Sequence, residues 1–405
     1  MSGEDYFFLV SSILGGAIAL SSSQWLTAVI RFRLDLLFGW GPRKRIFVIL
    51  FLGLRFVGGI CLLIASGSTS LALFSVMAVL FADIAIFRFM EPILTAVFRM
   101  THILCGLLLI GYAGDERIKA LLLAYVAATS LLSYVVTGIT KLISRGWHKG
   151  QTLLLILNSR TNGYGPLYRF LRHRKTLLMV LAWCVIGFEI FAPFLVLFGA
   201  NGAILFCSLA LIFHLMLSFV MGMNLFPLTW GATYPAILFL SMNKDLLFQM
   251  PQSPLHVFIS AWFCLLMLWQ LIAWIPTVKL KGKRAIYFFL YEFYMFAIRH
   301  PDTGIRYCTV TDSQTSRDQD LPLPWNRRFL DAFWNPEHEL KKALRHILNG
   351  IRFSGRPVKH STRIERWLRK AGDLPDHMKV QFQLMEEDSF ENNDRDEIAV
   401  RRSFG

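Results

Sequence analysis

The chain has 405 residues, of which 55% are hydrophobic, 14% aromatic and only 17% charged, with a mean hydropathy of +0.48. Soluble domains carry about a quarter charged residues, so this surplus of apolar side chains calls for lipid as solvent. Disorder, a collagen-like repeat and a small disulfide scaffold are excluded by the same figures.

The net charge of +15 is unevenly spread: residues 1–278 hold 19 Lys/Arg and 9 Asp/Glu, and residues 279–405 hold 23 and 18. The division reads as a polytopic membrane domain over 1–278, a basic cytoplasmic region over 279–385 and an acidic, disordered end over 386–405. The expected fold is all-α, a transmembrane helix bundle with a mostly helical soluble C-terminal tail.

A membrane-crossing helix needs about 20 mostly apolar residues. Nine stretches qualify in chain order: 6–30, 46–65, 70–87, 93–112, 118–142, 177–198, 203–226, 228–242 and 255–276. The eighth is short and contains Gly231 and Pro235, which leaves both a full crossing and a re-entrant loop open. No basic stretch precedes the first run and no small-residue cleavage site follows it, so it reads as a retained helix rather than a signal peptide.

Lys and Arg in the loops set the orientation. Arg31, Arg33, Arg43, Lys44 and Arg45 follow the first span, and Arg145, Lys149, Arg160, Arg169, Arg172, Arg174 and Lys175 precede the sixth. Both loops are expected in the cytoplasm, with the N-terminus outside. Lys279, Lys281, Lys283 and Arg284 place the tail inside if the eighth segment crosses. In that tail Asn335-Pro336-Glu337 reads as a helix start, and Thr362 with Glu365 as a capping box. Two basic amphipathic helices there suit anionic lipid or a protein partner, whereas no base-reading motif points to nucleic acid.

Five of the six cysteines lie in apolar runs and no CxxC occurs, so neither a disulfide framework nor a thiolate metal site is indicated. HExxH, Walker, GxSxG and GxGxxG patterns are absent as well. The informative residues are the ionisable ones inside the spans, since a charge at mid-bilayer costs at least about 2.5–3.5 kcal/mol. They are Arg55, Asp83, Arg99, His102, Glu189 and His214, with Lys141 at the cytoplasmic end of the fifth span. Arg99 and His102 share a helix face. Glu189 and His214 lie near the middle of consecutive spans, and their pairing would give a carboxylate that orients an imidazole. Interhelical packing is the other reading for each, and Lys141 has a further one, extension of its ammonium toward headgroups.

One stretch carries more. Tyr134, Gly138, Lys141, Leu142, Trp147 and Gly150 form an ordered pattern: aromatic, glycine, Lys-Leu, tryptophan, glycine. It resembles a signature of the horizontally transferred transmembrane domain family, which includes the vitamin K-dependent gamma-carboxylases. Phe213-His214-Leu215-Met216 and Leu225-Phe226-Pro227 through Trp230 to Phe239 are similar to two later segments of that family. The resemblance implies a membrane enzyme in which Lys141 is the base that deprotonates a reduced quinone, and His214 positions or polarises it. An ammonium has no lone pair, so such a base must first lose its proton. This chain has Thr140 where the carboxylase has a second lysine, and it lacks a large outer C-terminal domain. Glu189, Arg99 and His102 are the further candidates for holding a quinone or another hydrophobic small molecule. The rival expectations are a non-catalytic scaffold acting through its basic tail, and a carrier with Arg99, Glu189 and His214 along its path.

Overall fold

In the computed structural model, residues 2–34, 38, 40–65, 68–90, 96–158, 164–243, 253–274, 305–312, 318–320 and 378–384 are described. The membrane domain is helical throughout its described length. Helix α1 spans Gly3–Arg31, α2 Pro42–Ile64, α3 Thr69–Met90, α4 Ala96–Ala113 and α5 Glu116–Ile143. Local chemistry sets several of these starts. The Ser2 hydroxyl accepts the Asp5 N–H while the Asp5 carboxylate accepts the Ser2 N–H, a complete capping box. Pro42 opens α2 where no intrahelical N–H is needed, and the Asp115 carboxylate caps α5 by accepting the Ile118 N–H at 2.9 Å.

Three short helices follow: α6 over Arg145–His148, α7 over Gln151–Asn158 and α8 over Gly165–Leu171. Helix α9, Lys175–Phe191, continues into a 3-10 turn over Ala192–Phe198, and the chain reverses at Gly199 into α10, Gly199–Met221. The sixth and seventh apolar stretches are thus the two arms of one hairpin. The rings of Phe188 and Phe213, one on each arm, lie 4.9 Å apart. The eighth stretch is a broken helix, α11 over Phe226–Gly231 and α12 over Tyr234–Met242, and α13 spans Pro254–Trp274. Among the described residues, five helical stretches are by length and composition able to cross a membrane, as expected of a multi-pass membrane protein. One of those five, Lys175–Met221, is the whole hairpin, 47 residues long.

Helix α5 is the hub, packing against α1, α4, α9, α12 and α13. Its buried residues, among them Leu122, Val126, Ala127 and Tyr134, join the main apolar core. The outward faces of α2, α3, α9 and α10 carry exposed Leu50, Phe74, Phe81, Trp183 and Ile212, the surface that lipid would cover.

In the tail, most residues expected to be helical lie outside the described ones. Its described residues are strands: β1 Ile305–Asp312, β2 Asp318–Asp320 and β3 Met378–Leu384, in antiparallel order β2-β1-β3. Thr309 pairs with Asp320 on one side and Val310 with Val380 on the other. The helices expected from Asn335 and Thr362, and the acidic end, lie outside the described residues.

Candidate functional site

The site is built on one face of α5. Tyr134, Gly138 and Lys141 fall four and three residues apart, so they stack on the same side of the helix. Lys141 is 2% exposed and does not extend to headgroups. Its Nζ donates to both carboxylate oxygens of Glu189 on α9, at 2.5 Å each. Glu189 is 4% exposed, so the pair lies within protein. Two buried charges persist only when each is matched and hydrogen-bonded, and this geometry meets that condition.

The remaining residues of the pattern serve the same pair. A Cβ on Gly138 would lie 2.7 Å from Ile190 Cγ1 and 3.0 Å from Glu189 Cβ, so glycine is what lets α9 approach. Leu142 lies in the last turn of α5, and its carbonyl accepts from His148 Nε2. Trp147, on α6, is buried with its ring centroid 5.2 Å from Lys141 Nζ, a cation-π contact that caps the ammonium. Gly150 has φ +71°, and a Cβ there would meet Leu178 of α9 at 2.7 Å. Close approach and a left-handed backbone both require glycine at that turn.

One and two turns further into the helix, a second polar group appears. Tyr134 Oη lies 2.6 Å from His214 Nε2 of α10, and both residues are buried. His214 is enclosed by rings: Phe213 at 5.5 Å, Trp230 at 5.7 Å and Phe226 at 6.0 Å between centroids. Phe226 and Trp230 are themselves stacked, 5.1 Å apart and 4° from parallel. His214 Nδ1 has no hydrogen-bond partner among the described residues. Either ring tautomer therefore leaves one polar position at Nδ1 open to a ligand or water. Tyr134 and Lys141 are seven positions apart, about 10 Å of helix rise along α5.

The sequence expectations fare unevenly. Lys141 and Glu189 are brought together, whereas Glu189 and His214 are not partners: the carboxylate goes to the lysine and the imidazole to Tyr134. His102 belongs to a different cluster, its Nδ1 3.4 Å from Asp83 Oδ2. Arg99 sits in α4 near this cluster in sequence, and its side chain lies outside the described residues. Tyr134 and Trp147 carry no individual role in the sequence pattern; their aromatic type and spacing from the lysine are the signal available for them.

The His102 cluster is centred on Arg55. Its Nε donates to Asp83 Oδ1 at 2.6 Å, Nη1 to Ser22 Oγ at 2.8 Å and the Ile18 carbonyl at 3.2 Å, and Nη2 to Thr101 Oγ1 at 3.2 Å. It joins α1, α2, α3 and α4. A third cluster lies where α1, α5 and α13 begin. Lys119 Nζ donates to Glu4 Oε1 at 2.9 Å and Glu116 Oε1 at 2.8 Å, and His256 Nε2 meets Asp115 Oδ2 at 3.2 Å. The Ile118 N–H, aided by His256, holds the Asp115 carboxyl below the usual carboxylate range. Among the described residues no group of His, Cys, Asp and Glu is arranged to hold a metal ion.

Neither a protein-family model, nor a curated protein, nor a solved structure matches the chain.

Proposed function

We propose that the chain is a nine-span membrane enzyme of the gamma-carboxylase-like kind, acting on a lipid-soluble quinone or another lipid substrate. The observation that carries this reading is convergence. All three sequence segments that resemble the carboxylase family supply residues to one buried site: Tyr134 to Gly150 the ion pair, Phe213-His214 the imidazole, and Phe226 with Trp230 the rings around it.

Lys141 is the base. As an ammonium it has no lone pair, and Glu189 is placed to relieve it of a proton. Transfer from Nζ to the carboxylate leaves a neutral amine and a neutral acid, two uncharged partners in a low-dielectric site. The amine then accepts a proton from a substrate O–H or acidic C–H. His214 Nδ1 is the orienting group for a carbonyl or hydroxyl, with Tyr134 fixing the ring through Nε2. A reduced quinone would supply the acidic hydroxyl, and flat rings such as Phe226 and Trp230 suit its plane.

The topology proposed is an outside N-terminus and a cytoplasmic tail, with the eighth segment crossing. Support comes from the ends of the helices. The starts of α1, α5 and α13 meet through Glu4, Lys119, Asp115 and His256. The end of α12 reaches the same place, where Tyr6 donates to Met242 Sδ at 3.1 Å.

Mass spectrometry of the lipid extract of the purified protein tests the substrate class directly. A quinone or prenyl lipid retained by the wild type and lost from His214→Ala is expected. Turnover of that compound should be abolished in Lys141→Ala; unchanged turnover would reject Lys141 as base.

A further inference from the structure

We propose that residues 145–158 and 164–175 form a binding platform for anionic lipid headgroups, seated on the membrane face where α5 ends and α9 begins. The proposal rests on membrane embedding and is independent of the catalytic role given to Lys141.

Charge is the first argument. From Arg117 to Phe188 the sequence contains no Asp or Glu. Arg145, Lys149, Arg169, Arg172, Arg174 and Lys175 are all exposed. A loop serving only to orient the chain needs cations near the span ends and no fold of its own. This one is folded. Helices α6, α7 and α8 have four, eight and seven residues, far too few to cross a bilayer. Leu157, Leu171 and Leu178 make a small buried core of their own, which ties α7 and α8 to the start of α9.

Aromatic placement is the second argument. The Arg174 guanidinium lies 3.7 Å from the Phe170 ring centroid, and His148 stacks on the half-exposed Trp183 at 5.3 Å and 22°. Tryptophan and arginine-capped aromatics suit the boundary between acyl chains and headgroups. Exposed cations thus surround a ring-lined, structured surface at headgroup depth, a match for phosphodiester heads with their acyl chains alongside. The platform is also joined to the site: Trp147 of α6 rests on Lys141, and Gly150 is pressed against Leu178.

The test uses the full chain in nanodiscs of phosphatidylcholine mixed with phosphatidylglycerol, the latter carrying a photoreactive headgroup. Cross-linked peptides from the wild-type protein should map to 145–158 and 164–175. Cross-links confined to residues 31–45 or to the tail would overturn the proposal, and this arm needs no variant to fold. In a second arm, phosphatidylglycerol retained by detergent-solubilised protein is counted by native mass spectrometry. Each surface cation contributes about 1 kcal/mol, or about fivefold in binding. The quadruple variant Arg169→Gln, Arg172→Gln, Arg174→Gln, Lys175→Gln should therefore retain at least about tenfold less anionic lipid than Lys341→Gln, Lys342→Gln, Arg345→Gln, which leaves the platform intact. Equal retention by the two variants would overturn the proposal even if enzymatic turnover were preserved.

Discussion

Among the described residues, two ion pairs between buried partners lie inside this helix bundle, Arg55 with Asp83 and Lys141 with Glu189, and they are built differently. Arg55 and Asp83 are embedded in a closed network: three guanidinium nitrogens find four oxygens across α1, α3 and α4, and the Phe98 ring lies 4.8 Å from the guanidinium. Arginine suits that role because its planar fork satisfies several fixed acceptors at once. Lys141 and Glu189 form a pair of the opposite character. A compact ammonium meets one carboxylate, a tryptophan covers it, and about two turns back along α5 Tyr134 holds a histidine with an open nitrogen. The contrast teaches how to separate packing from chemistry inside a membrane. The arginine ties three neighbouring helices through four acceptors, whereas on the proposed function the lysine has a single carboxylate to which a proton could be passed.

The sharpest way to break this contrast is to remove each cation. Lys141→Ala is expected to abolish turnover and, by leaving Glu189 buried alone, to cost about 3–5 kcal/mol. Replacing both partners, Lys141→Met with Glu189→Leu, should restore most of that stability and none of the activity. Arg55→Ala should cost at least as much in thermal unfolding, and a second substitution, Asp83→Ala, should recover only part of it because a cavity remains where the two side chains packed and His102 loses its Asp83 contact. If the double variants behave alike in both stability and activity, the distinction fails.

Gly138→Ala comes next. The added methyl meets Ile190 Cγ1 at 2.7 Å and the Ile190 backbone nitrogen at 3.1 Å, so α9 must shift outward. A destabilisation of about 1–3 kcal/mol is expected, together with a disproportionate fall in turnover as Glu189 moves off Lys141. The same substitution at Gly53, which faces open space, serves as the control and should be close to silent.

Tyr134→Phe removes the hydroxyl that holds His214 Nε2 and should cost about 1–3 kcal/mol. Its effect on substrate retention, read by mass spectrometry, should exceed its effect on unfolding if the pair orients a ligand. The smallest effect belongs to the distant end of the bundle. Asp115 has a folded value below its unfolded one of about 3.9, so its stabilising contribution is complete above that pH. It is lost as the pH falls through the folded value. Asp115→Ala should lower stability by about 1 kcal/mol near neutrality and flatten that part of the acid limb of an unfolding titration.

Much of this was legible in the sequence because hydropathy encodes depth. The observed helices follow the apolar stretches closely, and the 4- and 3-residue spacing of Tyr134, Gly138 and Lys141 is one that a helix turns into a shared face. Depth alone does not say which way a side chain turns about its helix axis. Glu189 and His214 occupy comparable depths in consecutive spans, so they read as partners, yet α5 comes between their roles and takes one from each arm of the hairpin. The tail shows a different gap. Ile305 to Thr311 alternates Tyr307, Thr309 and Thr311 with Cys308 and Val310, a strand signal that the stronger capping motifs further on overshadowed.

The hairpin that carries Glu189 and His214 also fixes an order of events during synthesis. Lys141 emerges 48 residues ahead of Glu189, an interval of about 2–10 s at ordinary elongation rates. For that interval α5 must hold its lysine with no carboxylate to receive it. The position of Lys141, in the last turn before Ile143, supplies the answer, since its chain can reach the headgroups until α9 arrives. A chain truncated at residue 175 and released into the membrane should therefore present Lys141 to an amine-reactive label, and the completed protein should hide it.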